Sequence, residues 1–284
     1  MDIVILIGLD TFSYVLTLLL VTLGLVIIYG MMNIINMAHG ELFMIGAYTV
    51  ATLLASGVPF WICIIAAPIV VGVAGILIEE LVIRHVYGRP IDTILATWGL
   101  SIAIKQLIII LFGPGAVSIA NPVPGSVSLM GVDYPAYRLV IMALAAALAI
   151  ATYLVIYRTT IGLQIRAVIS NRAMAGSLGV NTRRMDRATF AVGSALAGIA
   201  GAIMSPMISV DPQMGVGFLI PAFLSVLVGG LNSLIGAVVG AGTIGGTTGI
   251  LSANMEQADA QIVVFLIAIL IIRFVPQGLW KGFR

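Results

Sequence analysis

The chain has 284 residues, of which 61% are hydrophobic and only 8% are charged, and its mean hydropathy is +1.19. Soluble domains carry roughly 25% charged residues, so this composition leaves too little polar surface for a globule in water and excludes a soluble protein. The net charge of +2 gives no support for nucleic-acid binding, and the single cysteine, Cys63, excludes an internal disulfide. No basic segment follows Met1, so we expect the first apolar segment to be retained as a span.

The apolar runs predict membrane-spanning helices, because a helix needs about 20 mostly apolar residues to cross a bilayer. We predict an all-α polytopic transmembrane helical bundle that forms a single domain over residues 1–284. The last runs are short or broken by glycine, so the total is eight or nine spans. In chain order the predicted spans are Phe12 to Met32, Ala38 to Ser56, Phe60 to Ile83, Thr93 to Phe112, Tyr137 to Tyr157, Ala188 to Met207, Phe218 to Val228, Ile235 to Ser252 and Ile262 to Phe274.

Polar residues interrupt the first long apolar region in the sequence NIINMAHGELFMIGAY, residues 33 to 48. An ionisable group in lipid costs roughly 2.5 to 3.5 kcal/mol, so His39 and Glu41 are expected to face protein, water or a membrane edge. Asn33 and Asn36 each carry a side chain that can cap the following helix. The segment lies either near the cytoplasmic face or at a helix broken within the membrane, whose free backbone groups line a cavity.

Three interpretations of this segment remain open. Its residues cap and pack one helical turn, line the path or gate of a small polar solute, or contact a partner subunit. A metal site is not expected, because His39 and Glu41 are two positions apart and point to different faces of a helix. The candidates for the solute path are Asn33, Asn36, His39, Gly40, Glu41 and Tyr48.

Three further features stand out along the apolar runs. Lys105 lies within SIAIKQLIIILF and is expected to snorkel to the interface, to form a structural pair, or to line the solute path. Glu80 and Arg84 are four residues apart and can pair on one helix face. The sequence GSALAGIAGA, residues 193 to 202, repeats small residues every four positions, which is typical of closely packed helix backbones.

The basic residues predict the orientation of the chain, because they concentrate in cytoplasmic connections of membrane proteins. The connection between residues 113 and 136 contains no basic residue. The arginine-rich connections and the C-terminus are therefore expected to be cytoplasmic and the N-terminus to lie outside. The basic residues that indicate this are Arg84 and Arg89, the six arginines between positions 158 and 187, and Arg273, Lys281 and Arg284 near the C-terminus.

The segment from 158 to 187 is too polar to span the membrane and too regular to be a simple linker. Apolar residues recur at helical spacing in it, and Gly179 is placed to end a short amphipathic helix. Small residues before this glycine would allow another protein to approach closely. Docking of a partner and anchoring by arginines at lipid headgroups both fit the pattern.

Four blocks of the sequence together resemble permeases of the branched-chain amino acid and urea/amide ABC uptake family. They are the NxxNxAHGxxxxxGAY pattern at 33 to 48, NRAMAGSLGVNTRRM at 171 to 185, SVLVGGLNSLIGAVVGA at 225 to 241, and RFVPQGLW at 273 to 280. The blocks occur in order and span nearly the whole chain. The resemblance implies a bacterial inner-membrane permease subunit that pairs with a second, homologous permease, two cytoplasmic ATPase subunits and a periplasmic solute-binding protein.

The resemblance also implies that the segment from Asn171 to Val180 couples the permease to the ATPase. The coupling candidates are Asn171, Arg172, Ala173, Met174, Ala175, Gly176, Leu178, Gly179 and Val180. The chain itself lacks a phosphate-binding loop, since neither of its two lysines, Lys105 and Lys281, is followed by Ser or Thr. No cofactor is therefore expected in this chain, and ATP and Mg²⁺ are expected to bind the partner ATPase.

The expected function is import of small polar solutes, with branched-chain or related amino acids placed ahead of urea and short amides. Enzyme function is not expected, because no nucleophile lies beside a plausible base in a recognisable motif. An ion-coupled carrier or channel is the alternative from another class. It would need intramembrane carboxylates, and Glu41 is the one acidic residue well within the apolar blocks. A membrane assembly factor without a transport role is a third hypothesis.

Overall fold

The computed structural model describes residues 2–129, 131–231 and 233–280, and helices dominate this part of the chain. The α-helices are α1 (Asp2–Met32), α2 (His39–Ala55), α3 (Phe60–Leu81), α4 (Pro90–Phe112), α5 (Ala136–Arg158), α6 (Thr160–Ser170), α7 (Arg172–Ser177), α8 (Thr182–Met204), α9 (Met214–Gly229), α10 (Leu234–Ser252) and α11 (Gln257–Phe274). A small antiparallel hairpin of β1 (Ser126–Leu129) and β2 (Val132–Pro135) lies between α4 and α5. The predicted all-α polytopic bundle is confirmed.

The helices account for all of the predicted spans. Among the described residues, six helices are long and apolar enough to cross a membrane, namely α1, α3 with the turn that follows it, α4, α5, α8 and α10. The other three predicted spans fall on the shorter helices α2, α9 and α11. Large apolar side chains such as Ile65, Leu95 and Ile110 are more than half exposed on the outer helices. An apolar surface of this kind is stable only against lipid or another apolar partner.

Two helices begin earlier than the apolar runs predict, because polar residues extend them. α1 begins at Asp2 rather than Phe12, and its Asp10 carboxylate pairs with Arg138 on α5 instead of ending the helix. α8 begins at Thr182 because Asn181 caps it, with the Asn181 side-chain oxygen 3.0 Å from the Arg184 backbone nitrogen.

The centre of the bundle is formed by α1, α2 and α8, which approach each other through glycines. A Cβ atom on Gly24 would lie 2.5 Å from the carbonyl oxygen of Gly193, and one on Gly46 would overlap the backbone of Gly198. A Cβ atom on Gly201 would overlap the backbone of Phe43. Close backbone packing through residues 193 to 202 is therefore confirmed, since no larger side chain fits at these positions.

The two ends of the bundle are held together by different contacts. At one end, Glu80 on α3 pairs with Arg84 and with Arg183 and Arg187 of α8, which confirms the predicted Glu80–Arg84 pair and adds two partners. At the other end, the connections after α4 and α8 are joined by a bridge in which Val117 and Val210 exchange backbone hydrogen bonds of 2.9 Å. Of the basic residues that predict the orientation, Lys281 and Arg284 lie outside the described residues.

The segment after α5 forms two short helices, α6 and α7, rather than one. Asn171 separates them, because its backbone is extended and its side-chain oxygen accepts a hydrogen bond from the Met174 nitrogen at 2.9 Å. α7 ends before the predicted stop, and Gly179 follows it with a φ of +88°, a conformation that favours glycine. The predicted helix end near Gly179 is thus confirmed.

Candidate functional site

The chain between α1 and α2 is a helix break inside the bundle. Asn33 ends α1 with a φ of +52°, and its backbone nitrogen donates to the Tyr29 carbonyl at 2.7 Å. α2 then begins at His39, whose ring nitrogen Nε2 lies 3.1 Å from the carbonyl oxygen of Val21. Val21 is about 16 Å from the end of α1 at 1.5 Å per residue. The segment therefore turns back into the bundle, as in the broken-helix alternative drawn from the sequence.

Neither of the two asparagines caps α2, whose N-cap residue is Ala38 and has no side-chain cap hydrogen bond. The Asn36 side chain is buried, and its oxygen accepts a hydrogen bond from the Ala38 nitrogen at 3.0 Å, while its carbonyl accepts one from His39. Asn33 is exposed and terminates α1, since asparagine tolerates the left-handed conformation better than most residues. The expectation that Asn33 or Asn36 caps α2 is therefore wrong, and Asn33 is exposed whereas the other solute-path candidates are buried.

His39 connects α2 to the central helix α1. Its side chain is fully buried, and the hydrogen bond to the Val21 carbonyl requires the proton on Nε2. Gly24, one turn further along α1, leaves room for the ring, because a Cβ there would lie 3.2 Å from the His39 Cε1 atom. Nδ1 is buried and has no hydrogen-bond partner among the described residues. It is available as an acceptor.

Glu41 points to the opposite side, towards α4, as its spacing from His39 predicts. Its Oε1 atom accepts a hydrogen bond of 2.8 Å from the Ser101 hydroxyl and lies 3.4 Å from the Lys105 Nζ atom. Glu41 is fully buried and Lys105 is about one fifth exposed. The predicted structural pair for Lys105 is confirmed, and the pair reduces the cost of a carboxylate in an apolar surrounding. Glu41 Oε2 has no partner within the described ranges.

A polar stripe on α4 faces this segment and was missed in the sequence. Thr93, Thr97, Ser101 and Lys105 recur every four residues, which places them on one helix face. The first three are buried although much of α4 is exposed and apolar. The Thr97 hydroxyl lies 3.1 Å from the Met37 nitrogen and so satisfies a backbone donor of the helix break. The four-residue repeat of polar residues in an apolar run was the available signal.

The α2–α4 seam consists of Asn36, Glu41, Thr97, Ser101 and Lys105. Next to it, the Tyr48 ring lies 4.9 Å from that of Phe112, and its buried hydroxyl has no partner within the described part of the chain. Gly40 serves close packing, since a Cβ there would lie 2.6 Å from the Gly215 carbonyl oxygen of α9. Five of the six predicted solute-path residues are thus buried along the first three turns of α2 or just before it.

A separate cleft of about 430 Å³, the Arg138 cleft, opens between the ends of α1, α5, α8 and α10. It contains the Asp10–Arg138 ion pair together with Thr17 and Met204. No sequence motif predicted it, because its walls come from four helices that are distant along the chain.

The predicted coupling residues form an exposed surface on and after α7. Ala175 packs inward, whereas Met174 and Leu178 are 58% and 78% exposed. Arg172 pairs with the buried Asp186 of α8, and this hydrogen bond raises the pKa of Arg172 above its ordinary value. α7 is therefore fixed to α8 on one side and presents apolar side chains on the other.

The neighbouring loop is fixed to the same end of the bundle. The Tyr87 hydroxyl donates a hydrogen bond of 2.7 Å to Glu79, and burial together with this bond raises the pKa of Tyr87. Glu79 also lies 3.9 Å from Arg187 of α8. In the described ranges no group of three or more metal-ligating side chains occurs.

The apolar exterior, the broken helix and the buried ion pair define a polytopic membrane protein with a polar centre. The chain belongs to the family of permease components of branched-chain amino acid transport systems, whose family model matches residues 8–274. It is therefore a multi-pass transport permease.

Curated relatives cover almost the whole chain. The high-affinity branched-chain amino acid transport system permease protein LivH of Salmonella typhimurium is 27% identical over 93% of this chain and 91% of its own length. BraD of Pseudomonas aeruginosa, of the same description, is 29% identical with the same coverage. A probable LivH of Methanocaldococcus jannaschii is 28% identical over 94% of this chain and 90% of its own. No solved structure matches the chain significantly.

Proposed function

We propose that the chain is the membrane-spanning subunit of an ATP-driven importer for branched-chain or chemically similar amino acids. The observation that carries the proposal is the family match across residues 8–274, joined by relatives named for branched-chain amino acid transport. Urea and short amides are the second substrate class, supported by the resemblance of NRAMAGSLG to the urea/amide branch.

The proposed partners are a second homologous permease, two ATPase subunits and a solute-binding protein. The exposed Met174 and Leu178 side chains support a docking surface for an ATPase, because apolar groups projecting from a polar segment are stabilised when a partner covers them. ATP and Mg²⁺ would bind the ATPase, and this chain would hold no cofactor.

The proposed orientation places the arginine-rich end in the cytoplasm of a bacterial cell and the Arg138 cleft outside. The excess of arginines around α6 and α7 supports this orientation through the positive-inside rule. The chain would act as one transmembrane domain, with residues 158–187 as its coupling segment.

The proposed path for the solute follows the helix break between α1 and α2. Non-helical backbone at membrane depth is stable where it is buried in protein or lines a cavity, and transporters use such breaks at their binding sites. The free acceptor on His39 and the α2–α4 seam support this location. Movement of α7 would tilt the attached helices and open the path to alternate sides.

The decisive experiment is purification of the permease with its native partners, followed by reconstitution in liposomes. ATP-dependent uptake of leucine, isoleucine and valine, with stimulation of ATPase activity by these amino acids, is the expected result. Stimulation of ATPase activity by urea or acetamide, and not by these amino acids, would show that the substrates are urea and short amides. Concentration of solute by this chain alone, driven by an ion gradient, would overturn the proposal in favour of an ion-coupled carrier.

A further inference from the structure

The Arg138 cleft brings together two charges that are distant in the sequence. Asp10 on α1 and Arg138 on α5 form an ion pair although 128 positions separate them. The Asp10 side chain is 50% exposed and that of Arg138 is 29% exposed, so both charges remain accessible from the cleft. The Arg138 guanidinium lies 5.9 Å from the centre of the Tyr134 ring, which holds it at the rim.

The remaining walls of the cleft combine apolar side chains with hydroxyl groups. Ile141, Met204 and Met207 line it together with small hydroxyl groups on α1 and α10. Its volume of about 430 Å³ is within the range of sites for small molecules, roughly 300 to 1,000 Å³. One acidic group, one basic group and an apolar wall in the same cavity match an α-amino acid that carries an apolar side chain.

The cleft also lies near the residue of α1 that His39 contacts. Thr17 lines the cleft, and its hydroxyl lies 3.6 Å from the Met204 sulfur. Val21, whose carbonyl is bound by His39, follows one helical turn further along α1, about 6 Å away. The cleft therefore lies about one helical turn along α1 from the contact between His39 and Val21.

We propose that the Arg138 cleft is the first binding site of the permease for the zwitterionic head of its amino acid. Arg138 binds the carboxylate through its several N–H donors, and Asp10 accepts hydrogen bonds from the ammonium group. The ion pair between them keeps both side chains in place when the cleft contains no solute. The apolar side chain of the solute packs against Met204 and Met207. This inference rests on the proposed function, because it takes an amino acid as the substrate.

The test uses the complete importer reconstituted in liposomes with its binding protein, and it measures uptake of radiolabelled leucine. Arg138→Gln and Asp10→Asn are each expected to reduce leucine uptake about tenfold or more. Asp133→Asn is the matched control, since it removes an exposed carboxylate of β2 that does not line the cleft and should leave uptake unchanged.

Two further measurements separate recognition from folding. A photoreactive diazirine analogue of leucine should label the wild-type complex at Met204 or Met207, and Arg138→Gln should lose most of this labelling. The exchange of both charges, Asp10→Arg with Arg138→Asp, restores an ion pair but reverses the positions of the charges. We expect it to restore the thermal stability of the permease but not leucine uptake.

The outcomes distinguish the two proposals. If the wild-type importer does not transport leucine, the proposed function fails. If the wild type transports leucine and the single variants transport it equally well, the cleft is not the binding site. Restoration of full uptake by the exchanged pair would also overturn the inference, because it would show that the ion pair serves stability alone.

Discussion

Glu41 on α2 and Lys105 on α4 form an ion pair in the interior of the bundle, with 3.4 Å between Oε1 and Nζ. Glu41 is fully buried and also accepts a hydrogen bond from Ser101, so its charge depends on α4 for both of its partners. α4 in turn buries few of its own side chains apart from this polar stripe. The pair is therefore a main polar connection between α4 and the first turn of α2.

Removal of either charge is expected to destabilise the protein, and the loss of Lys105 should cost more than the loss of the Glu41 charge. Lys105→Met leaves a buried carboxylate without its counter-charge and should cost about 3 kcal/mol, because breaking a buried pair is strongly destabilising. Glu41→Gln should cost less, about 1–2 kcal/mol, since Lys105 is partly exposed and can extend towards the interface. Thermal unfolding of the purified permease in detergent measures both. The double variant should lose less stability than the two single variants lose together. A loss equal to that sum would show that Glu41 and Lys105 do not interact.

Backbone contact through glycine at the centre of the bundle is expected to tolerate no added methyl group. Gly46→Ala should lower the free energy of unfolding by about 2–3 kcal/mol, because the new Cβ would overlap the carbonyl of Gly198 and backbone atoms cannot easily move aside. Gly242→Ala is the control, as no atom lies within 4 Å of its added Cβ. It should be neutral or stabilise the helix by up to about 1 kcal/mol. Equal thermal stability of the two variants would show that the contact is loose.

Leu178, beyond the end of α7, tests the coupling surface. It is 78% exposed, so Leu178→Glu should fold normally but abolish leucine-stimulated ATPase activity if the ATPase docks there. Leu163→Glu on α6 is the matched control, because that side chain is 59% exposed on the neighbouring helix. It should retain stimulation. A similar loss of stimulation in both variants would favour anchoring at lipid headgroups instead.

The Tyr87–Glu79 hydrogen bond predicts a pH dependence. Burial and this bond raise the pKa of Tyr87, so the folded state favours the protonated phenol. The stabilisation is complete below the unfolded pKa of about 10 and is lost as the pH rises above it. Tyr87→Phe should lower stability by about 1–2 kcal/mol at pH 8, and the difference from wild type should shrink above pH 10. Unfolding of both proteins in detergent between pH 7 and 11 measures this difference in stability. A difference that stays constant over this range would show that ionisation of Tyr87 does not affect stability.

Much of the fold could be read from the sequence, because hydropathy is a local property. The apolar runs located each predicted span, and the small residues between 193 and 202 predicted close helix packing. The polar interruption at 33 to 48 was also visible, and its solute-path candidates other than Asn33 are buried. The polar stripe of α4 is also visible in the sequence as a four-residue repeat. The sequence does not show that this stripe contacts Glu41.

By itself, the sequence determined that this is a membrane protein. It also determined the positions of the helices along the chain and the polar residues that the interior must accommodate. Only the tertiary structure decided which of those residues meet. Ser101 bonds Glu41 across 60 positions and Arg138 pairs with Asp10 across 128, and neither pairing follows from periodicity. The physical reason is that a span forms when its apolar side chains are transferred to lipid. This transfer depends on the hydrophobicity of each segment by itself. The choice of neighbours depends on backbone approach at glycines and on the pairing of buried charges, which are properties of the assembled bundle.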